Sequence, residues 1–421
     1  FEDKGDLLLS IIGQYCNFIT MKLEEHGAAP SIEDYWVHLR QGRLIQEQCW
    51  KELDCIEIGV MIGEQMPSNH PLAEGLGAKA APLNRYWLNQ LKQGQEWALV
   101  RTDLSLEILL KLLNNVSDSF YGIMLGASGG PKWFVLFGLD RYIFGEFFAN
   151  RQRELITLGS SAGAWRMCCL ATADPVAAIE RLAKRYSEEQ YSEQPTTDEI
   201  TEQAREMLAQ TLGPDGGKEI LENEIFRTHI IADRARGIGS SPVKALRMLQ
   251  LLSSALLNVA SRKTLSLFFE RNIFSNMGQA SPFRNSNDLA TAHVAMSKEN
   301  LMDAMMASGA IPFVLNGVRD IHSAKRGMYW DGGITDYHFD FPFHAGDDLV
   351  LYPHFSSAVI PGWFDKRVPW RRVDLKNFEN VVMVVPSKEF VAELPYSKIP
   401  DRTDFETLDY PSRVAYWSTV L

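Results

Sequence analysis

Two short apolar segments, each ending in a glycine-rich turn and followed by a helical pattern, constrain the fold of this chain more than any other feature. The first is residues 121–125, which lead into the turn at 126–130. The second is residues 155–158, which lead into the turn at 159–163. Strands that alternate with glycine turns and helices are typical of parallel sheets, in which crossover helices join neighbouring strands. The sequence therefore predicts an α/β fold.

Further apolar segments extend this pattern. Residues 228–232, 349–352 and 381–385 are short apolar runs of the kind found in buried strands. A phenylalanine-rich helix is predicted between the first two strands, over residues 132–150. Together these segments predict a central, mostly parallel sheet.

The first part of the chain, residues 1–118, has the periodicity of helices. Apolar residues recur every three or four positions over residues 8–19, which predicts a helix with one apolar face. A capping-box pattern at the start of residues 31–50 predicts a second helix, and a third is predicted over 104–113. No motif in this region indicates chemistry, so we expect a structural or regulatory role.

Composition excludes several classes of protein. The 421 residues carry a net charge of −11, which disfavours a general nucleic-acid-binding protein. The longest uncharged apolar-rich run, residues 248–261, is shorter than a membrane-spanning helix, and the first six residues do not resemble a secretory signal. The five cysteines have no metal-ligand spacing and are interpreted as buried thiols, which predicts a cytoplasmic protein, able to associate with membranes.

Both glycine turns fit the pattern G-x-S-x-G of a nucleophile elbow. In such an elbow a strand enters a sharp turn that exposes a serine hydroxyl at the N-terminus of the next helix. The candidate serine is Ser161 in the second turn and Ser128 in the first. The pattern alone does not distinguish Ser161 from Ser128.

Two later segments complete a set of motifs in a fixed order. They are the segment Ala-Ser-Gly-Ala-Ile-Pro-Phe at residues 307–313 and the triplet Asp-Gly-Gly at 331–333. With the two glycine turns before them, these motifs resemble those of the patatin-like phospholipases: a glycine-rich oxyanion loop, an elbow, an A-S-x-A-I-P segment and a D-G-[GA] triplet. The resemblance spans about residues 121–355.

The resemblance implies a fold, an activity and a site. The fold is a three-layer α/β/α sandwich, and the activity is that of a carboxylic ester hydrolase of the phospholipase A or lysophospholipase kind, with neither a cofactor nor a metal. Ser161 matches the nucleophile, and Asp331 matches its only side-chain partner. Gly129 and Gly130 match the oxyanion loop, and Lys132 matches a basic residue that supports the loop or its anionic surroundings.

The resemblance also implies a division of the chain. Residues 1–118 form a helical N-terminal region, residues 119–357 the patatin-like catalytic domain, and residues 358–421 a C-terminal extension that packs on the catalytic domain. The expected substrate is a phospholipid or another lipid ester.

Two segments indicate contact with a lipid surface. Residues 243–260 are strongly apolar with two cations near one end, as in a cap or an interfacial helix. Residues 363–372 interleave three aromatic with four basic residues, a combination suited to lipid headgroups. A buried core helix and a solvated loop are the alternative interpretations. These segments predict peripheral membrane contact.

The sequence also allows other mechanisms. The same Ser–Asp pair could transfer its acyl group to an alcohol or thiol, and a chain with Trp133 in the oxyanion loop could bind lipid or a partner without catalysis. His338 and His344 follow Asp331 in the order of a Ser-Asp-His triad, although unusually close to it. A metal site formed by these two histidines and Asp340 is disfavoured by the spacing.

Overall fold

The computed structural model describes residues 4–32, 34–52, 73–97, 121–286, 288–346 and 348–421. The chain forms two compact units, residues 1–120 and residues 121–421. None of the helices within these described ranges is long and apolar enough to cross a membrane.

The N-terminal unit is helical where it is described. Its helices are α1 (Lys4–His26), α2 (Tyr35–Glu52) and α3 (Ala73–Glu96). They pack around a core in which Trp87 is fully buried and donates a 2.8 Å hydrogen bond to Gln46. The prediction of an N-terminal helical region is confirmed, whereas the helix predicted over 104–113 lies outside the described residues.

The second unit is built on one mixed, mostly parallel sheet. Nine strands are present among the described residues: β1 (Tyr121–Gly126), β2 (Leu155–Ser160), β3 (Phe226–Ala235), β4 (Phe269–Ser275), β5 (Thr291–Ala295), β6 (Val318–Arg319), β7 (Met328–Asp331), β8 (Leu349–Pro353) and β9 (Val381–Val384). Their order is β5-β4-β3-β2-β1-β8-β9, with β7 paired to β3 and to β6. Strand β3 is antiparallel to β4 and β7, while β1, β2, β8 and β9 run parallel to their neighbours on this side of the sheet.

Helices flank this sheet. They are α4 (Phe137–Tyr142), α5 (Ala162–Leu170), α6 (Pro175–Ser187), α7 (Thr197–Leu212), α8 (Gly216–Glu222), α9 (Lys244–Ala260), α10 (Leu301–Gly309), α11 (Lys388–Glu393), α12 (Asp404–Thr407) and α13 (Tyr410–Val420). Buried residues of α5, α6, α7 and α10 form the larger core on one face. Buried side chains of β1, β2 and β3 on the other face pack against Phe339, Phe341 and Phe343. The predicted patatin-like α/β/α fold is confirmed.

Four of the described strands, β4 to β7, were not predicted, and β4 shows why. Its centre is Glu270, Arg271 and Asn272, a sequence with no apolar alternation, yet all three side chains are buried. Arg271 is compensated by two carboxylates, Asp288 at 2.8 Å and Asp336 at 2.5 Å. A charged strand can therefore lie inside the sheet because its partners come from distant segments.

The predicted helix over residues 132–150 is broken into three pieces. A 3-10 helix (Gly130–Leu136) comes first, then α4, then a π-helical turn (Ile143–Phe147). Gly138 and Gly145 interrupt this stretch, and glycine lowers the stability of a helix interior. The apolar periodicity alone did not predict these changes of helical pitch.

The last 64 residues contribute to the sheet and to its core. Strand β9 pairs in parallel with β8, with Val350 opposite Val381. Trp417 on α13 is fully buried, and its ring centroid lies 5.2 Å from that of Phe134.

The end of β1 and the start of the helix after β2 are in direct backbone contact. A Cβ atom added to Gly163 would lie 1.9 Å from the carbonyl oxygen of Gly126, and one added to Gly159 would lie 2.4 Å from the Cα of Ala164. Both distances are far inside van der Waals contact. Helix α5 can therefore start beside β1 only because these positions have no side chain.

We expect Gly163→Ala to lower the free energy of unfolding by about 3 kcal/mol or more, because the new methyl group must displace backbone rather than a side chain. The measurement is chemical denaturation followed by circular dichroism. Gly138→Ala is the matched control, since a Cβ there meets no atom within 4 Å. Equal stability of the two variants would contradict this account of the contact.

Candidate active site

Ser161 occupies a sharp turn between β2 and α5. Its backbone has φ 55° and ψ −131°, a conformation that residues with a side chain rarely adopt. Its N–H donates a 2.9 Å hydrogen bond to the hydroxyl of Ser308, which lies near the end of α10. The strained turn is thus held in place by a residue of the 307–313 segment.

The structure brings Ser161 and Asp331 together, although they are 170 positions apart. The Ser161 hydroxyl donates a 2.8 Å hydrogen bond to Oδ2 of Asp331. The other carboxylate oxygen accepts a 2.7 Å hydrogen bond from the Gly333 N–H, and the Asp331 N–H donates to the Ala310 carbonyl at 2.9 Å. Because both carboxylate oxygens and the backbone are engaged, the carboxylate has one orientation relative to the serine.

Burial dominates the electrostatics of this carboxylate. Asp331 is 5% exposed, and desolvation raises its pKa above the usual value. The positive charge of Arg402 opposes this rise, as do the hydrogen bonds from Ser161 and Gly333. A raised pKa makes the carboxylate a stronger proton acceptor than an exposed aspartate.

The glycine-rich loop lies beside this pair. Gly130 has φ +57°, and a Cβ on Gly129 would lie 2.5 Å from the ring of Phe355. Within the described part of the chain, neither the Gly129 N–H nor the Gly130 N–H has a hydrogen-bond acceptor. Both amides are therefore free to donate to a ligand.

Ser128, the rival candidate in the first turn, is placed differently. Its N–H donates to the Tyr337 carbonyl at 3.0 Å, and its side chain is buried near Gly333. Among the described residues, Asp331 receives a side-chain hydrogen bond from Ser161 and none from Ser128. The geometry thus separates two serines that the sequence pattern did not.

Two further residues of the loop have different environments. Lys132 is half-buried, with its Nζ 5.6 Å from the centre of the Phe355 ring. Trp133 is almost fully buried, and its ring packs edge-on against Phe134 and Phe137. Trp133 is therefore part of the hydrophobic core.

The histidines after Asp331 do not join the pair. Nδ1 of His338 accepts a 2.8 Å hydrogen bond from the Ile360 N–H, and His344 is exposed. The carboxylate of Asp340 accepts hydrogen bonds from the Asp374 N–H and the Asn377 side chain. No group of three histidine, cysteine, aspartate or glutamate side chains with metal-site geometry occurs among the residues that the structure covers.

Two cavities meet at the site. One, of about 280 Å³, is lined by Asp331, Gly129 and Lys132, and the other, of about 830 Å³, is lined by Ser161. The larger cavity runs between α6, α7 and the C-terminal segment. Its apolar lining residues include Trp165, Ile200, Ala204, Leu315, Phe405 and Leu408. The wall between the two cavities carries Arg402, which lines both.

A buried network of polar side chains holds the residues that follow the Asp-Gly-Gly turn. Thr335 donates to the carboxylate of Asp233 through its N–H and lies within hydrogen-bonding distance of it through its hydroxyl, both at 2.8 Å. Asp336 is bound by Arg271. Burial and the neighbouring Asp336 raise the pKa of Asp233 well above its usual value. The turn is therefore fixed on strands β3 and β4.

Sequence reasoning missed several of these residues. Asp233 had a weak signal, since it is an acidic residue directly after the apolar strand segment 228–232. Ser308 was part of a quoted motif but had no assigned contact. Lys366 was noted only in the aromatic–basic segment, and Arg402 lies in a segment without any motif, yet both line the 280 Å³ cavity.

Comparison with protein families agrees with this geometry. Residues 152–345 match the family described as patatin-like phospholipase, a range that includes Ser161, the 307–313 segment and Asp331 but starts after the glycine-rich loop. The resemblance predicted from the sequence is thus confirmed, and this part of the chain is similar to the patatin-like phospholipase family. Searches of curated proteins and of solved structures found no match.

Ser308→Ala tests the support of the elbow. The substitution leaves the buried Ser161 N–H without its acceptor, so the free energy of unfolding should fall by about 1–3 kcal/mol, as measured by chemical denaturation. Ser187→Ala is the control, because its hydroxyl donates to the Lys184 carbonyl, which keeps the hydrogen bond from the Glu188 N–H. A loss no larger than that of the control would show that Ser308 does not hold the turn.

Proposed function

We propose that the protein is a serine-dependent lipid acyl hydrolase of the phospholipase A or lysophospholipase kind. The observation that carries the proposal is the 2.8 Å hydrogen bond from Ser161 to Asp331, formed between two motifs of the matched family. Ser161 acts as the nucleophile and Asp331 as the general base.

The reaction follows from this pair. Asp331 accepts the hydroxyl proton while the Ser161 oxygen attacks the ester carbonyl, and the leaving alcohol takes the proton as the acyl-enzyme forms. Asp331 then activates a water molecule that releases the fatty acid. Asp331 must be ionised to act as a base, and burial raises its pKa, so activity should be lost on acidification at a higher pH than the usual titration of an aspartate.

The loop and the larger cavity complete the proposed site. The free N–H groups of Gly129 and Gly130 would hold the oxyanion of the tetrahedral intermediate, a contribution on the order of 3 kcal/mol per donor. The 830 Å³ cavity beside Ser161 has the apolar lining that an acyl chain requires.

We also propose that the protein works at a membrane surface. Helix α9 exposes a row of apolar side chains, of which Leu249 and Leu252 are more than half exposed and Leu256 is 74% exposed. Spacings of three and four place these leucines on one face of the helix. Such a face can enter the boundary between headgroups and acyl chains.

The aromatic and basic segment adjoins this helix. Asn258 on α9 donates a 2.7 Å hydrogen bond to Asp365, and Arg371 lies 3.2 Å from the same carboxylate. Trp370 is 63% exposed, and Trp363 lines the 280 Å³ cavity. Helix α9 is therefore joined to a segment that carries an exposed tryptophan and also lines the 280 Å³ cavity.

Labelling with a fluorophosphonate probe tests the nucleophile, because the probe reacts with activated serines and needs no knowledge of the substrate. We expect labelling of the wild type, none in Ser161→Ala, and a loss of at least about 100-fold in rate in Asp331→Asn.

Two serines provide controls for this experiment. Ser160→Ala changes the residue next to the nucleophile and should keep the labelling. The buried Ser160 hydroxyl has no hydrogen-bond partner among the residues that the structure describes. Ser128→Ala should keep it too. Labelling that disappears in Ser128→Ala but persists in Ser161→Ala would refute the assignment.

Leu256→Ser tests the membrane surface. Loss of one leucine from the exposed apolar face of α9 removes surface that would be buried in the membrane. It should weaken binding to phosphatidylcholine–phosphatidylglycerol vesicles about tenfold, measured by co-sedimentation. Leu44→Ser, which removes an exposed leucine from α2, is the control and should bind as the wild type does. Equal binding by both variants would exclude α9 as the contact.

A further inference from the structure

Three cations converge on the 280 Å³ cavity from separate segments. Lys132 comes from the 3-10 helix after the glycine-rich loop, Lys366 from the 3-10 helix Trp363–Arg367, and Arg402 from the segment before α12. All three lie outside the residues 152–345 that match the family. The chain as a whole is acidic, with a net charge of −11, so this concentration of positive charge is local.

None of these three charged groups has an ion pair or a hydrogen bond within the part of the chain that the structure describes. The two carboxylates at the cavity are engaged elsewhere. Asp331 is hydrogen-bonded to Ser161 and Gly333, and Asp401 accepts from Thr403 and lies 3.5 Å from Lys398. The cavity therefore contains donors without a matching acceptor.

The three cations also repel one another, and this repulsion affects the pKa values of both lysines. Desolvation lowers the pKa of Lys366, and the neighbouring charges of Lys132 and Arg402 lower it further. Desolvation lowers the pKa of Lys132 as well, and Arg402 adds to this lowering while Asp401 opposes it. Cations that lie close together repel one another, and an anion bound between them offsets this repulsion. An anion in the cavity would oppose this lowering and raise the pKa of both lysines.

The position of this cluster relates it to the reacting ester. A Cβ on Gly130 would lie 3.2 Å from Nε of Arg402, so the guanidinium is directly beside the glycine-rich loop. Nζ of Lys366 lies 3.6 Å from the centre of the Tyr337 ring, which also lines the cavity. Asp331 lines the same cavity as the three cations, and Gly130 and Arg402 also line the cavity that contains Ser161. A group bound between the cations would therefore lie beside the Ser161–Asp331 pair.

We propose that Lys132, Lys366 and Arg402 form a subsite for a phosphate group, that of a phospholipid headgroup, next to the ester that Ser161 attacks. The proposal rests on the proposed hydrolase function and specifies its substrate as a phosphate-bearing lipid. Phosphate fits this arrangement because its several oxygens can accept from a planar guanidinium and two ammonium groups at once. The 830 Å³ cavity would then take the acyl chain on the other side of Arg402.

The test is binding to the full-length Ser161→Ala protein, in which no turnover occurs. The three ligands are dihexanoylphosphatidylglycerol, the uncharged dihexanoylglycerol and inorganic phosphate, and their binding is measured by titration calorimetry. In this background we expect Lys366→Gln and Arg402→Gln each to weaken binding of the phospholipid at least about tenfold and to leave binding of the uncharged diester unchanged. Lys388→Gln, at an exposed lysine on α11 away from the cavity, is the control and should change neither.

Two outcomes would overturn the subsite. In the first, the glutamine variants bind the phospholipid as the parent protein does. In the second, they lose affinity for inorganic phosphate but not for the phospholipid, which would identify free phosphate as the ligand. Because these measurements need no hydrolysis, their failure is distinct from a failure of fluorophosphonate labelling, which tests the hydrolase function itself.

Discussion

The backbone contact between Gly126 and Gly163 is the constraint on which the site depends. Strands β1 and β2 run parallel with Gly126 opposite Gly159, so the two glycine turns leave the same edge of the sheet side by side. The absence of side chains at the contact lets α5 begin against the first turn. As a result, Ser161 and Gly130 line the same cavity, and Gly129 and Asp331 line the cavity next to it.

Hydrogen bonds to two other motifs help to offset the backbone strain at Ser161. A non-glycine residue at φ 55° costs on the order of 1–3 kcal/mol, which the surrounding structure must offset. Ser308 accepts its N–H and Asp331 accepts its hydroxyl, and these two residues belong to the two motifs that follow the elbow in sequence. The order of motifs along the chain is thus explained by what each contributes to one turn.

Much of this arrangement could be predicted from the sequence, and the exceptions have physical causes. Strands β1 and β2 were predictable because apolar runs ending in glycine turns are local signals, and the pairing of Ser161 with Asp331 followed from the resemblance. Strand β4 was missed because the partners of Arg271 are 17 and 65 residues away. Arg402 was missed for a similar reason, since only long-range packing brings it to Gly130.

In the proposed function, the two stretches of the chain that meet at the cavity have different roles. The proposed nucleophile and base lie within residues 152–345, while Lys366 and Arg402 lie after them on exposed segments that tolerate substitution better than the core. For the proposed hydrolase, changes confined to residues 363–403 offer a route to alter headgroup preference by mutagenesis while Ser161 and Asp331 stay in place. The charges of Lys366 and Arg402 also act on the pKa of Asp331, so such changes should shift the pH dependence of the reaction as well.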